Sequence, residues 1–143
     1  MKKKDCMADK MDEKALQQKY MEFQVIQQQI EQLQQQLHML NQQLQQLELT
    51  KNNLNELKSV ETGTKSYAQI APGIYVQSTV ANTETLLVNV GANTTVEKSV
   101  PDTISLVEEQ EKLAAENINE TDKVLQQLST DAMKIYEQLQ NVQ

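Results

Sequence analysis

The sequence predicts an α+β fold: a long antiparallel two-helix coiled coil with two central β-hairpins. Three observations predict it. Both prolines and all three glycines lie between positions 63 and 101, at Gly63, Pro72, Gly73, Gly91 and Pro101. The flanks on either side are rich in Gln, Glu, Lys, Leu and Ala, which are good helix formers, while the middle is rich in Thr, Val, Ile and Tyr, which favour strands. In the first flank, Ile30, Leu33, Leu37, Leu40, Leu44 and Leu47 are separated by alternating steps of three and four residues, the a/d spacing of a heptad repeat.

Residues 1–11 are read as a flexible N-terminal tail. "MKKKDCMADK" opens on a lysine run that no apolar stretch follows, so it is not expected to be a signal peptide, and no apolar run approaches the roughly 20 residues of a membrane-spanning helix. Cys6 is the only cysteine and cannot form an intramolecular disulfide. A soluble, intracellular chain is expected, in which the sequons at Asn93 and Asn119 are chance matches.

The first coiled-coil helix is placed at 12–61. Upstream of Ile30 the apolar residues are Leu16, Tyr20, Phe23 and Ile26, and the two successive steps of three predict a stammer that locally overwinds the coil. Downstream, Leu54 keeps the register but Lys51 takes a seam position, so the seam weakens there, and Leu57 and Val60 suggest a shift near the helix end. The glutamines of "QQQIEQLQQQLHMLNQQLQQLEL" fall at the wet positions of this helix, which argues against a disordered tract.

Residues 62–98 read as two hairpins. "YAQIA" and "IYVQSTV" flank a Pro72-Gly73 turn, and Ile74, Val76 and Val80 share a face with Ser78. After the loop "ANTET", the strand "LLVNV" turns through "GANT", where Gly91 and Asn93 suit positive φ, into "TVEKS". Leu86, Val88 and Val90 share a face, with Val96 as cross-strand neighbour. Two-stranded hairpins are marginal in water and their edges template further pairing, so other chains are expected to complete them.

The second helix is placed at 99–143. Ser99 can cap it, Pro101 fits its first turn, and Asp102 meets the positive end of its dipole. Ile118, Thr121, Leu125, Leu128, Ala132, Ile135, Leu139 and Val142 continue the three-four alternation, which Val107 and Ala114 extend upstream and Glu111 interrupts. The two helices match in length, about 70 and about 65 Å at 1.5 Å per residue. Neither can bury its seam alone, so they are expected to fold back on one another, bringing Leu139 and Val142 level with Leu16, Tyr20 and Phe23.

Composition argues against several functions. Net charge is −7 and every basic residue is Lys, which disfavours nucleic acid, and aromatic content is only 3%, too little for a conventional globular core. No enzyme chemistry is expected. His38 is the only histidine and follows a seam leucine, which puts it toward solvent. No His/Cys metal cluster or glycine-rich phosphate loop is present, "NVGAN" is a turn, and Glu108, Glu109, Glu111 and Glu116 read as a solvated helix face. No cofactor or metal is expected.

The middle segment resembles prefoldin, specifically the alpha class of the archaeal type. The likeness is carried by Pro72-Gly73-Ile74-Tyr75-Val76, by Leu86-Leu87-Val88-Asn89-Val90-Gly91, and by Val96-Glu97-Lys98 leading into the second helix. Two hairpins rather than one is the alpha-class pattern. Ala92-Asn93 in place of a more glycine-like turn, and the glutamine-rich first coil, depart from it. The resemblance implies that the hairpins join an oligomeric β-barrel platform with prefoldin beta subunits, in a hexamer of two alpha and four beta chains. It implies a cytoplasmic, ATP-independent holdase whose coil tips bind unfolded polypeptide clients and pass them to a group II chaperonin. Candidate client-binding residues at the tip are Met7, Met11, Leu16, Tyr20, Met133, Ile135, Tyr136, Leu139 and Val142. Leu16, Tyr20, Ile135 and Leu139 can also be read as ordinary seam residues. Candidate subunit-interface residues are Ile70, Ile74, Val76, Val80, Leu86, Val88, Val90 and Val96. The alternative is a structural coiled-coil scaffold or tether oligomerised through its hairpins.

Overall fold

The structure, a computed structural model, describes the backbone of residues 2–141 and the side chains of residues 13–141. Its elements are α1 (Lys2–Leu57), β1 (Lys65–Ala71), β2 (Ile74–Thr79), β3 (Thr85–Asn89), β4 (Thr95–Ser99) and α2 (Val100–Asn141). The helical backbone of α1 thus takes in residues 2–11, where the sequence suggests a separate tail. The chain forms two compact units, one of residues 1–41 with 116–143 and one of residues 42–115.

In the first unit α1 and α2 pack antiparallel. Lys19 Nζ donates to Gln138 Oε1, and the Phe23 ring lies 6.1 Å from that of Tyr136 at 32°. Phe23 and Ile30 share a hollow with Ala132, a small residue opposite an aromatic one. The inward positions of α2 are Ile118, Thr121, Leu125, Leu128, Ala132, Ile135 and Leu139, in unbroken alternation as expected.

On α1 the inward positions are Leu16, Lys19, Phe23, Ile26, Ile30, Leu33, Leu37 and Leu40, with steps of three and four throughout. The predicted stammer is absent. Lys19 occupies the seam where Tyr20 was expected, and Tyr20 is 56% exposed. A lysine can lay its aliphatic stem along an apolar seam while its ammonium reaches a polar partner, here Gln138. The heptad is then kept without overwinding.

In the second unit the seam runs through Leu44, Leu47, Lys51, Leu54 and Leu57 on α1, and Val107, Glu111 and Ala114 on α2. The two seam irregularities meet: Lys51 Nζ lies 3.3 Å from Glu111 Oε2. Leu57 and Val60 are half-buried while Lys58 is exposed, so the register does shift at the helix end. Beyond it Gly63, at φ 95°, donates to the Val80 carbonyl (2.7 Å), and Val80 N–H returns to the Thr64 carbonyl (2.9 Å). The chain therefore enters the first hairpin already paired.

The most buried side chains in this unit gather at the start of α2. Val100, Thr103, Ile104 and Val107 are buried there, as is Ala114 further along. Ser99 caps the helix by accepting the Asp102 N–H (3.2 Å), and the Thr103 hydroxyl donates to the Ser99 carbonyl (2.8 Å). Losing such a cap typically costs about 1 kcal/mol.

The strands form two separate two-stranded antiparallel sheets, β1–β2 and β3–β4. In the first, Ala68 faces Val76 and Ser66 faces Ser78, while Tyr67 and Tyr75 stand on the opposite face. Pro72-Gly73, with φ 80° at the glycine, is the residue pattern of a type II turn, which splays strands of ordinary twist. The pairing shifts between Gln69 and Ala71, so a bulge at Ile70 absorbs the mismatch. In the second, Leu86, Val88, Val96 and Lys98 share a face, with Val88 directly opposite Val96. The turn Gly91–Thr94 closes through Thr94 N–H to the Gly91 carbonyl (2.9 Å), with Ala92 at φ 49° and Asn93 at φ 58°. Positive φ at both central residues is the type I′ pattern.

Candidate functional site

Two apolar surfaces stand out, one in each unit. The first is on the hairpins. Ile70, Ile74, Val76 and Val90 are exposed, with Ile70 at 70%. Val80, Leu86, Val88 and Val96 are half-buried within the chain, so they are less available than the first four. Tyr67, Tyr75 and Leu87 are exposed as well and were missed from sequence. Their signal was present: each lies on the face opposite the valine and isoleucine pattern, where an open hairpin presents a second surface. With only two strands per sheet, each hairpin keeps strand edges on which further pairing can occur.

The second surface is a groove in the first unit, along the edge of the α1–α2 seam. A cavity of about 600 Å³ is lined by Leu16, Gln17, Tyr20, Met21 and Phe23 on α1 and by Tyr136, Leu139 and Gln140 on α2. Antiparallel packing places Leu139 level with Leu16 and Tyr20, as the seam matching predicts. Leu16, Phe23 and Leu139 are half-buried seam residues, whereas Tyr20, Met21 and Tyr136 are exposed. Tyr136 is steadied by its contact with Phe23 and by Gln140, whose Nε2 donates to the tyrosine hydroxyl at 2.8 Å. The groove is thus apolar at its floor and rimmed by neutral glutamines.

Of the sequence candidates, Leu16, Tyr20, Tyr136 and Leu139 come together here. Ile135 is half-buried in the seam outside the groove lining, and Met133 is exposed on α2. The side chains of Met7, Met11 and Val142 lie outside the described residues. Gln17, Met21, Phe23 and Gln140 of the groove lining were not among the candidates. Met21 and Val25, which lines an adjoining hollow of about 400 Å³ with Gln18, Glu22 and Ile26, are apolar residues outside the heptad. That off-seam apolarity is the signal that could have identified them.

Among the described residues no group of His, Cys, Asp or Glu could hold a metal ion, and no helix is long and apolar enough to cross a membrane. His38 is exposed.

The family model described as "Prefoldin subunit" matches residues 26–143. A curated relative, prefoldin subunit alpha of Archaeoglobus fulgidus, is 28% identical over 127 residues, covering 89% of this chain and 93% of the relative. Among solved structures, filamentous PFD from Methanocaldococcus jannaschii, determined by cryo-electron microscopy, is similar in fold with a TM-score of 0.73 at 17% identity. That similarity covers 80% of this chain and 95% of the other.

Proposed function

This chain belongs to the prefoldin family, whose members are chaperone subunits that assemble with one another, and on that premise we propose that it is an alpha-type subunit of an ATP-independent holdase. It joins beta-type partners through its hairpins in a hexamer of two alpha and four beta chains. It binds non-native polypeptide at the end of the coil formed by residues near Leu16 and Leu139, and delivers that client to a group II chaperonin in the cytoplasm. The observation that carries the client-binding reading is the groove itself: three exposed apolar side chains, Tyr20, Met21 and Tyr136, gathered where two helices already share a seam. An exposed cluster of this kind, bounded by polar residues, is the surface that captures apolar segments. Its methionine adapts to varied partners, and its tyrosines add large amphipathic contact area.

The test is suppression of aggregation. The full chain, co-expressed with its beta partner, is mixed with a chemically denatured client on dilution, and light scattering is followed. The assembly should suppress scattering, and should lose that effect when both coil ends are truncated while native mass spectrometry still reads the hexamer. Activity that survives truncation would place client binding elsewhere. A stable assembly with no effect on aggregation would favour a structural scaffold instead.

A further inference from the structure

The groove has a shape that selects among the conformations an unfolded client can present. Resting on the client-binding reading above, we infer that it takes an amphipathic helical segment of about two turns, laid along the coil as a third helix.

The first argument concerns hydrogen bonds. The groove walls are α1 and α2; α1 uses its backbone N–H and C=O groups within the helix, and α2, whose described turns end at Asn141, leaves over only last-turn carbonyls, so the walls offer no free backbone donor. From Leu16 to Phe23 the wall runs seven residue steps, about 10 Å. An extended segment spanning that length brings about three residues, with one donor and one acceptor each. The polar groups at the rim are Gln17, Gln140 and the tyrosine hydroxyls, and Gln140 already donates to Tyr136. They are too few to satisfy an extended backbone, and strand addition needs a sheet edge that this unit lacks among its described residues. A helix satisfies its own backbone and offers only side chains.

The second argument is continuity with an interface already formed. Leu16, Phe23 and Leu139 serve the α1–α2 seam and the groove floor together. Leu16, Tyr20 and Phe23 are spaced four and three, and Gln17 and Met21 are spaced four, so the groove presents the ridges that helices pack into. A third helix with apolar residues at i, i+3, i+4 and i+7 meets those ridges as α2 meets the seam. The glutamine rim imposes no charge requirement on its polar flanks.

Fluorescein-labelled peptides of fourteen residues test this by anisotropy against the full-chain assembly. One carries leucines at i, i+3, i+4 and i+7. A second has the same composition with leucines at alternate positions, and a third is the first with a central proline. The helical-pattern peptide should bind at least tenfold more tightly than either twin. Tyr20→Gln combined with Met21→Gln, both at exposed positions, should remove that preference while leaving far-UV helicity unchanged. Equal binding of all three peptides overturns the inference; if the double variant weakens all of them the groove remains the client site, and if it weakens none client binding lies elsewhere. No peptide binding, with aggregation suppression unaffected by the double variant, overturns the inference and places client binding elsewhere than this groove. A change in oligomeric mass on double substitution assigns the groove to a second copy of the chain and overturns the inference.

Discussion

Ala92 holds φ 49° at the first central position of the β3–β4 turn, a left-handed conformation that costs a residue with a Cβ about 1–2 kcal/mol. Asparagine tolerates that conformation better because its short polar side chain bonds locally. Ala92→Asn is therefore expected to stabilise the full chain by about 0.5–1 kcal/mol. The urea midpoint should rise at fixed protein concentration with the slope unchanged, and a fall in the midpoint would show that the turn is held by something other than its φ values. Tyr20 offers the opposite case. Its side chain is exposed and lies beside the seam, so Tyr20→Gln should alter stability by less than about 0.5 kcal/mol, whereas Leu16→Gln, at an inward position, should cost about 1–2 kcal/mol. Thermal unfolding of the two single variants compares them directly. Equal losses would put Tyr20 back in the seam.

At the level of the helices, the pair Lys51–Glu111 interrupts an otherwise apolar seam in the second unit. The side chains are 31% and 17% exposed, and Glu111 Oε1 is buried without a hydrogen-bond partner. Lys51→Leu leaves a poorly solvated carboxylate with neither of its oxygens paired. Discounting the cost of a fully buried orphan charge for this exposure gives a loss of about 1–2 kcal/mol. The double change Lys51→Leu with Glu111→Leu should restore stability to at least the wild-type value, because an apolar seam pair carries no desolvation penalty. Urea denaturation of the four proteins forms the cycle. A double variant as unstable as the single one would show that the pair gives net stability. These residues also mark how far the sequence could be read. The three-four alternation located both helices, and it flagged Lys51 and Glu111 separately as misfits. That they cancel one another required the register between helices, which no single helix encodes. Lys19 was passed over for the opposite reason: a pattern that scores whole residues as apolar or polar cannot see a lysine stem buried below an exposed ammonium. The groove was legible as an end of the coil, through Leu16 and Leu139. Met21 sits outside the heptad, so the three-four alternation does not reach it. In the hairpins, strand positions and Val88 opposite Val96 followed from alternation, whereas Tyr67, Tyr75 and Leu87 belong to the faces that alternation assigns to solvent.

For the molecule as a whole, the hairpins couple stability to assembly. Two two-stranded sheets leave Ile70, Ile74, Val76 and Val90 exposed in the single chain, and anything that binds this folded surface stabilises it by mass action. The residues divide into two sets with different expected effects. Ile74 and Val76 are exposed in the chain, at 55% and 48%, so charging them acts mainly on association. Covering them in a complex is worth about 1 kcal/mol each, and an introduced carboxylate adds a desolvation cost. Ile74→Glu with Val76→Glu is accordingly expected to weaken the assembly at least tenfold while α1 and α2 keep their helicity. Val88 is half-buried against its own chain and opposite Val96, so Val88→Glu should lower both the assembly and the melting temperature of the unassembled chain. Native mass spectrometry across a dilution series, with far-UV circular dichroism on the same samples, separates the two. If the Ile74/Val76 variant keeps its full mass at every dilution, the exposed face of the first hairpin is not where subunits meet, and the second hairpin alone would have to carry the contact.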